Sequence, residues 1–119
     1  MAKILAVDDS TSMRQMVSFT LQEAGHQVVE AADGNAGLQA AKSQSFDLII
    51  TDVNMPGMDG ITMCKEVRAL PAFKFTPILM LTTEAGMDKK MAGKAAGATG
   101  WLVKPFNPDK LLATVARVL

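Results

Sequence analysis

Four charged residues, each closing a short apolar run, are the strongest chemical signal in this sequence. They are Asp8 and Asp9, which follow the run 4–7, Asp52, which follows 46–51, and Lys104, which follows 100–103. If these runs are neighbouring parallel strands, the four charges meet at the edge of the sheet where open α/β folds bind their ligands. The spacing therefore predicts one charged site assembled from three distant parts of the chain.

The types of these side chains indicate what such a site would bind. Three carboxylates in contact repel one another and raise each other's pKa values, so an ionised cluster needs a cation. A hard divalent ion with oxygen ligands meets that need, and Mg²⁺ is the ion that we expect. Lys104 then offers a positive charge to an incoming anion. The set predicts a Mg²⁺-dependent phosphoryl acceptor.

Strand-like and helix-like segments alternate five times along the chain. The strands, numbered β1 to β5, are predicted near 3–7, 27–31, 47–52, 76–81 and 99–103. The helices, numbered α1 to α5, are predicted near 11–24, 34–44, 60–69, 87–95 and 108–118. Residues able to cap four of these helices are Ser10 or Thr11, Asp33, Asp59 and Asn107. The strands lack polar alternation, which favours parallel strands buried on both faces. The pattern predicts an α/β fold, a (βα)₅ sandwich.

Length and composition limit the class of protein. With 119 residues the chain is expected to form a single domain, 1–119, with no output domain. Its apolar runs are far shorter than the roughly 20 residues that a membrane helix needs. The N-terminal run ends at two aspartates, which is not typical of a signal peptide. The single cysteine, Cys64, excludes an internal disulfide, so we expect a cytoplasmic protein.

The charges are balanced overall but unevenly distributed. Residues 1–85 contain six basic and ten acidic side chains, a net charge of −4, and residues 86–119 contain six and two, a net charge of +4. A basic C-terminal face could dock an acidic partner, although a solvated surface would look the same. A nucleic-acid binder would usually be basic overall and carry exposed aromatic residues. We therefore expect no nucleic-acid partner.

Four short motifs give the chain a resemblance to a known family. They are Val7-Asp8-Asp9-Ser10, the segment 51–60 (TDVNMPGMDG), Leu81-Thr82-Thr83-Glu84 and Lys104-Pro105-Phe106. In this order and spacing the chain resembles the receiver domain of two-component response regulators, and most of all the stand-alone chemotaxis regulators among them. The resemblance implies a flavodoxin-like receiver fold, with a parallel five-stranded sheet of order 2-1-3-4-5 and helices on both faces.

The resemblance also implies roles for particular residues. Asp52 would accept the phosphoryl group, with Lys104 and Thr82 contacting it. The Mg²⁺ ligands would be Asp8, Asp9, Asp52 and the backbone carbonyl of Asn54, with Asp8 acting largely through water. Further groups that contact the phosphoryl group or tune its hydrolysis would be Thr83, Asn54 and Glu84.

Trp101 is the only tryptophan, at a position where receivers usually have Tyr or Phe. By resemblance it would be a switch residue that turns inward when Thr82 moves towards the phosphoryl group. An indole that merely packs in the core or on the surface is the alternative. The Tyr hydroxyl is missing here, so a mechanism that needs it is not expected.

The function implied is that of a signalling switch and not an enzyme acting on other substrates. The protein would take a phosphoryl group from a chemotaxis-type histidine kinase, and would catalyse that transfer and its own dephosphorylation. Its altered α4–β5–α5 face would then bind a flagellar motor switch protein or another acidic peptide. A phosphatase is a further candidate partner, a monomer is expected, and no membrane contact is expected. Two alternatives stay open: a Mg²⁺-dependent phosphatase with an aspartyl intermediate, and a phosphate sink without a motor target.

Overall fold

Five parallel strands form one sheet in the order β2-β1-β3-β4-β5, as the resemblance implied. The computed structural model describes residues 2–82, 94–104 and 107–119. The strands are β1 (Lys3–Val7), β2 (Gln27–Ala31), β3 (Leu48–Asp52), β4 (Ile78–Thr82) and β5 (Gly100–Val103). All of them point the same way, so their carboxyl ends share one edge of the sheet.

Four helices begin at the predicted caps. They are α1 (Thr11–Glu23), α2 (Gly34–Ser43), α3 (Gly60–Arg68) and α5 (Pro108–Val118). The side chains that accept a hydrogen bond from a first-turn N–H are those of Ser10, Asp33, Asp59 and Asn107. The predicted α4 lies mostly outside the described residues, and only 94–95 are seen as helix. Within the described parts, no helix has the length and apolar character needed to span a membrane.

The helices cover both faces of the sheet and enclose two cores. On one face α1 and α5 pack over a cluster that includes Ile4, Ile50 and Leu81. On the other face α2 and α3 pack over a cluster that includes Leu5 and Met80. Successive strand residues alternate between the two clusters, because side chains of a strand point to opposite faces. This double burial holds the central strands, and therefore their ends, in fixed positions.

The expectation that every strand is buried on both faces is wrong for the two edge strands. β1, β3 and β4 are almost entirely buried, whereas Gln27 and Glu30 of β2 are exposed and three of the four residues of β5 are half-buried. An edge strand has one neighbouring strand, and helices on the two faces cover its outer side less well. β5, which carries Trp101, is therefore partly accessible to solvent.

Arg68, the last residue of α3, joins two loops at the opposite end of the sheet. Its Nε and Nη2 donate to the Gly97 carbonyl at 3.0 and 2.8 Å. Its Nη1 donates to the carbonyls of Phe73, at 2.7 Å, and of Thr76. Gly97 has φ +104°, and an added Cβ would lie 3.0 Å from the Arg68 side chain. The guanidinium therefore anchors the start of β5 to the loop before β4.

Replacing Arg68 should destabilise the fold without touching the charged edge. In Arg68→Gln several half-buried carbonyls lose their donors, and each unsatisfied group costs about 1–3 kcal/mol. We expect the free energy of unfolding, measured by urea denaturation, to fall by about 2–3 kcal/mol. The matched control is Arg117→Gln, because Arg117 is exposed on α5. Equal stability of the two variants would contradict the anchoring role.

Candidate functional site

The four charged residues meet at the carboxyl edge of the sheet. Asp8 directly follows β1, Asp52 is the last residue of β3, and Lys104 directly follows β5. Carboxylate oxygens of Asp8, Asp9 and Asp52 all lie within 4.8 Å of one another. Lys104 Nζ lies 3.2 Å from Asp8 Oδ2 and 3.3 Å from Asp52 Oδ1. The juxtaposition predicted from the apolar runs is therefore present in the structure.

Burial makes this cluster electrostatically costly. Asp8 is 2% exposed and Asp52 is 6% exposed, while Asp9 is exposed to solvent. Burial raises the pKa of Asp52 above its ordinary value, Lys104 opposes that shift, and the charge of Asp8 adds to it. Lys104 reduces the repulsion by contacting both buried carboxylates. Within the described parts of the chain, one lysine contacts this group of three carboxylates, which leaves an excess of negative charge.

The oxygen atoms of the cluster fit a hard cation. The three carboxylates are close enough to share one ion, and exposed Asp9 leaves an approach from solvent. Mg²⁺ prefers such oxygen ligands and keeps several waters, so few protein ligands are required. Asn54, two residues after Asp52, is exposed at the same edge. The donor set is therefore consistent with the predicted ion.

The loop after Asp52 folds back over its backbone. Gly60 N–H donates to Val53 O at 2.9 Å, and Val53 N–H donates to Asp52 Oδ1 at 2.9 Å. A Cβ at Gly60 would lie 2.0 Å from the carbonyl O of Asp52, so only glycine fits this approach. Gly57 has φ +76°, which agrees with the type II turn that Pro56-Gly57 indicates. The loop therefore restrains both the carboxylate and the backbone carbonyl of Asp52.

Thr82 and Lys104 are linked through the backbone. Thr82 is the last residue of β4 and is fully buried, and Lys104 N–H donates to Thr82 O at 2.6 Å. Thr82 pairs with Val103 in the ladder between β4 and β5. A displacement of Thr82 would therefore act on β5 directly. Thr83, Glu84, Pro105 and Phe106, for which the sequence predicts roles or a motif, lie outside the described residues.

Trp101 lies on β5 opposite Met80 and packs against the core cluster under α2 and α3. The residue as a whole is half-buried, yet its indole Nε1 is buried and forms no hydrogen bond with any described residue. Leaving a buried donor unpaired costs about 1–3 kcal/mol. Among the described residues, the indole therefore packs against the core but has no hydrogen-bond acceptor for its N–H.

One contact at this site had no signal in the sequence. Arg14 on α1 donates from Nη1 to the carbonyl O of Asp8 at 2.6 Å. An arginine one turn into a helix is usually solvated, and neither its spacing nor its neighbours predict a bond to the preceding loop. Only the packing of α1 beside β1 and β2 shows it.

Comparison with known proteins gives the class. The response regulator receiver domain family matches residues 4–116, and the chain belongs to that family. It is 39% identical over 117 residues to the chemotaxis protein CheY of Pseudomonas aeruginosa, covering 98% of this chain and 94% of that protein. The structure of Vibrio cholerae CheY4 is 63% identical, with a TM-score of 0.97, covering 100% of this chain and 99% of that one. The chain is therefore similar to CheY proteins over nearly its whole length.

A second solved structure bears on the metal. The receiver domain of the sensor histidine kinase PA1611 from Pseudomonas aeruginosa PAO1 has a magnesium ion coordinated in its active-site cleft. It is 29% identical to this chain with a TM-score of 0.91, and the match covers 98% of this chain and 96% of that one. A magnesium ion in that related structure agrees with the interpretation of Asp8, Asp9 and Asp52 as a cluster that could hold a cation.

The raised pKa of Asp52 predicts how stability depends on pH when no metal is bound. The folded protein binds a proton at Asp52 more tightly than the unfolded chain, whose Asp pKa is about 3.9. This contribution to stability is present below the unfolded pKa and is lost as pH rises through the folded pKa. At pH 7 the ionised side chain therefore costs stability.

In Mg²⁺-free buffer at pH 7 we expect Asp52→Asn to unfold at a higher urea concentration than the wild type. The difference should shrink as the pH approaches 4, because the wild-type carboxyl is then increasingly protonated. Asp109→Asn, at an exposed position on α5, is the matched control and should show no such gain. A gain for Asp52→Asn that grows towards acid pH would contradict the assignment of the pKa shift.

Proposed function

We propose that the protein is a phosphorylation-activated switch of chemotaxis signalling in the cytoplasm, with Asp52 as the phosphoryl acceptor. One observation carries the proposal: the buried carboxylate of Asp52 lies in an acidic cluster and 3.3 Å from Lys104. A carboxylate can attack phosphorus, and a neighbouring ammonium can hold the oxygens of the transferred group. The similarity to CheY proteins supports the chemotaxis assignment.

The transfer can be written with the chain's own groups. An oxygen of Asp52 attacks the phosphorus of a phosphohistidine, the new P–O bond forms, and the P–N bond breaks with its electron pair left on the imidazole. Lys104 contacts the transferred group, and the Thr82 hydroxyl donates a hydrogen bond to another of its oxygens, keeping its proton. A bound Mg²⁺ would neutralise charge on the phosphoryl oxygens. It would be held by Asp9, Asp52 and the carbonyl of Asn54, with Asp8 acting through water.

The output would be a change on the α4–β5–α5 face. Lys94, Ala98, Thr99, Gly100 and Trp101 line a groove of about 220 Å³ there. Moving a two-state equilibrium from 1:99 to 99:1 takes roughly 5.5 kcal/mol. Charge-assisted hydrogen bonds from Thr82 and Lys104 supply about 1.5–3 kcal/mol each. Because Lys104 already contacts two carboxylates, only part of that energy is new, so phosphorylation shifts the population without saturating it.

The basic C-terminal third of the sequence supports an acidic peptide as the target. A flagellar motor switch protein is the partner that we propose on the output side, and a chemotaxis-type histidine kinase on the input side. A Mg²⁺-dependent phosphatase is less well supported. Such enzymes usually carry an acid/base aspartate two residues after the nucleophile, where this chain has Asn54.

The acceptor can be tested by mass spectrometry after incubation with acetyl phosphate and Mg²⁺. Wild-type protein and Asp109→Asn should each gain one phosphoryl mass, and Asp52→Asn should gain none. Chelation of the metal should abolish labelling of the wild type. Equal labelling of Asp52→Asn and wild type would place the acceptor elsewhere.

The switch can be followed by Trp101 fluorescence, since there is one tryptophan. Beryllofluoride with Mg²⁺ should shift the emission maximum or reduce iodide quenching, because the indole turns inward as Thr82 moves. The same treatment should strengthen binding of an acidic peptide from a motor switch protein.

Thr82→Ala should still be labelled at Asp52 but should show small indole and peptide responses. Thr62→Ala, at an exposed position on α3, is the matched control and should behave as wild type. A wild-type signal that is indifferent to beryllofluoride would make Trp101 a packing residue only. A fluorescence response without stronger peptide binding would favour a phosphate sink.

A further inference from the structure

The side chain of Arg14 reaches back from α1 to the peptide bond that joins Asp8 to Asp9. Its Nη1 donates to the Asp8 carbonyl O at 2.6 Å, and its Nε donates to Glu30 Oε1 at 3.1 Å. The Arg14 side chain is only 15% exposed and that of Glu30 is 39% exposed. The guanidinium therefore connects the loop after β1 with β2. Its Nη1 is held by the Asp8 carbonyl and its Nε by the Glu30 carboxylate.

Besides the contact of its Oδ2 with Lys104, Asp8 forms three hydrogen bonds that restrain different parts of the residue. Its N–H donates to Ala31 O at 3.2 Å, which continues the ladder between β1 and β2. Its Oδ1 accepts from the N–H of Ser10 at 2.9 Å, which closes the turn into α1. The bond from Arg14 acts on the carbonyl itself. It therefore sets the plane of the Asp8–Asp9 peptide, and a rotation of that plane would move Asp9.

Asp9 depends on this restraint more than the other two carboxylates do. Asp8 and Asp52 are buried and contact Lys104, whereas Asp9 is exposed. Its carboxylate can point into the cluster only if the backbone that carries it is correctly oriented. We propose that Arg14, held by Glu30, is a positioning residue of the cation site that orients the Asp8–Asp9 peptide. The inference rests on the proposed function, because it concerns the cation that these carboxylates bind.

Charge and orientation make opposite predictions for this residue. A positive charge near the site repels a cation, so on charge alone the loss of Arg14 should tighten Mg²⁺ binding. Loss of orientation should weaken it, since removing groups that orient metal ligands typically costs about 10–100-fold in affinity. Lysine keeps the charge but lacks the planar fork that can reach a carbonyl and a carboxylate together. Arg14→Lys therefore separates the two effects.

The test is Mg²⁺ titration of metal-free protein by isothermal calorimetry. Arg14→Lys should bind Mg²⁺ more weakly than wild type, and Arg14→Gln should bind about tenfold more weakly. Arg117→Gln, which removes the same charge from an exposed position on α5, should match the wild type. In the absence of metal, amide hydrogen exchange at Ser10 should be faster in both Arg14 variants, because the turn closed by Asp8 is less restrained.

The acetyl phosphate reaction gives a further readout. The Mg²⁺ concentration for half-maximal labelling should rise in Arg14→Lys, while the rate at saturating Mg²⁺ stays close to that of wild type. A residue that served only overall stability would change neither quantity in a folded variant. If Arg14→Gln does not fold, Arg14→Lys decides the question.

Two results would overturn the inference alone: equal Mg²⁺ affinity of Arg14→Lys and wild type, or tighter binding by Arg14→Gln. A wild-type protein that binds no Mg²⁺ would overturn the proposed function as well. The two failures are therefore distinguishable.

Discussion

The repulsion among three carboxylates crowded at one sheet edge is the constraint on which the rest of this structure depends. Two of them, Asp8 and Asp52, are buried, where their charges are screened least. Lys104 contacts both and offsets part of the repulsion. The arrangement persists because both faces of β1 and β3 are covered by helices. The packing of the two cores thus offsets the electrostatic repulsion within the site. Charged groups with perturbed pKa values are typical of functional sites.

Under the proposed function, that excess of negative charge is what would let the site respond to a cation and to a phosphoryl group. A fully neutralised cluster would gain little from a cation or a phosphoryl group, whereas an excess of negative charge next to a lysine gains from both. Under the proposed function, the cation would reduce the repulsion among the carboxylates, and the phosphoryl group would give Lys104 a new partner. The hydrogen bond from Lys104 N–H to Thr82 O would then connect that change to the ladder between β4 and β5.

Much of this could be predicted from the sequence, for identifiable reasons. The strands and four helices follow from apolar runs bounded by caps, and Asn107-Pro108 predicted the start of α5 at residue 108, where the structure has it. The meeting of the four charged residues at one sheet edge could be predicted because parallel strands place their last residues together. The burial of the edge strands was predicted wrongly, since a local pattern does not say which strand will have only one neighbour.

The contacts of Arg14 and Arg68 could not be predicted for a related reason. Each is a basic residue on a helix, and that pattern is typical of a solvated side chain. The acceptors at Asp8 and in the loops that Arg68 joins are backbone carbonyls, which every residue carries and which leave no trace in the sequence. Tertiary packing alone determines which carbonyl each guanidinium meets. The role of Trp101 is likewise open from sequence, because a packing indole and a switching indole have the same neighbours.

The position of β5 at the sheet margin couples an accessible strand to the charged edge. The carboxylates lie at the ends of the interior strands β1 and β3, but Lys104, which contacts Asp8 and Asp52, directly follows β5. At the other end of β5, Thr99 Oγ1 accepts a hydrogen bond from Ile78 N–H, and an added Cβ at Gly100 would lie 2.8 Å from Leu79. A substitution along this strand would therefore also act on β4 and on the position of Lys104. The surface of β5 and the charged edge cannot be redesigned independently of each other.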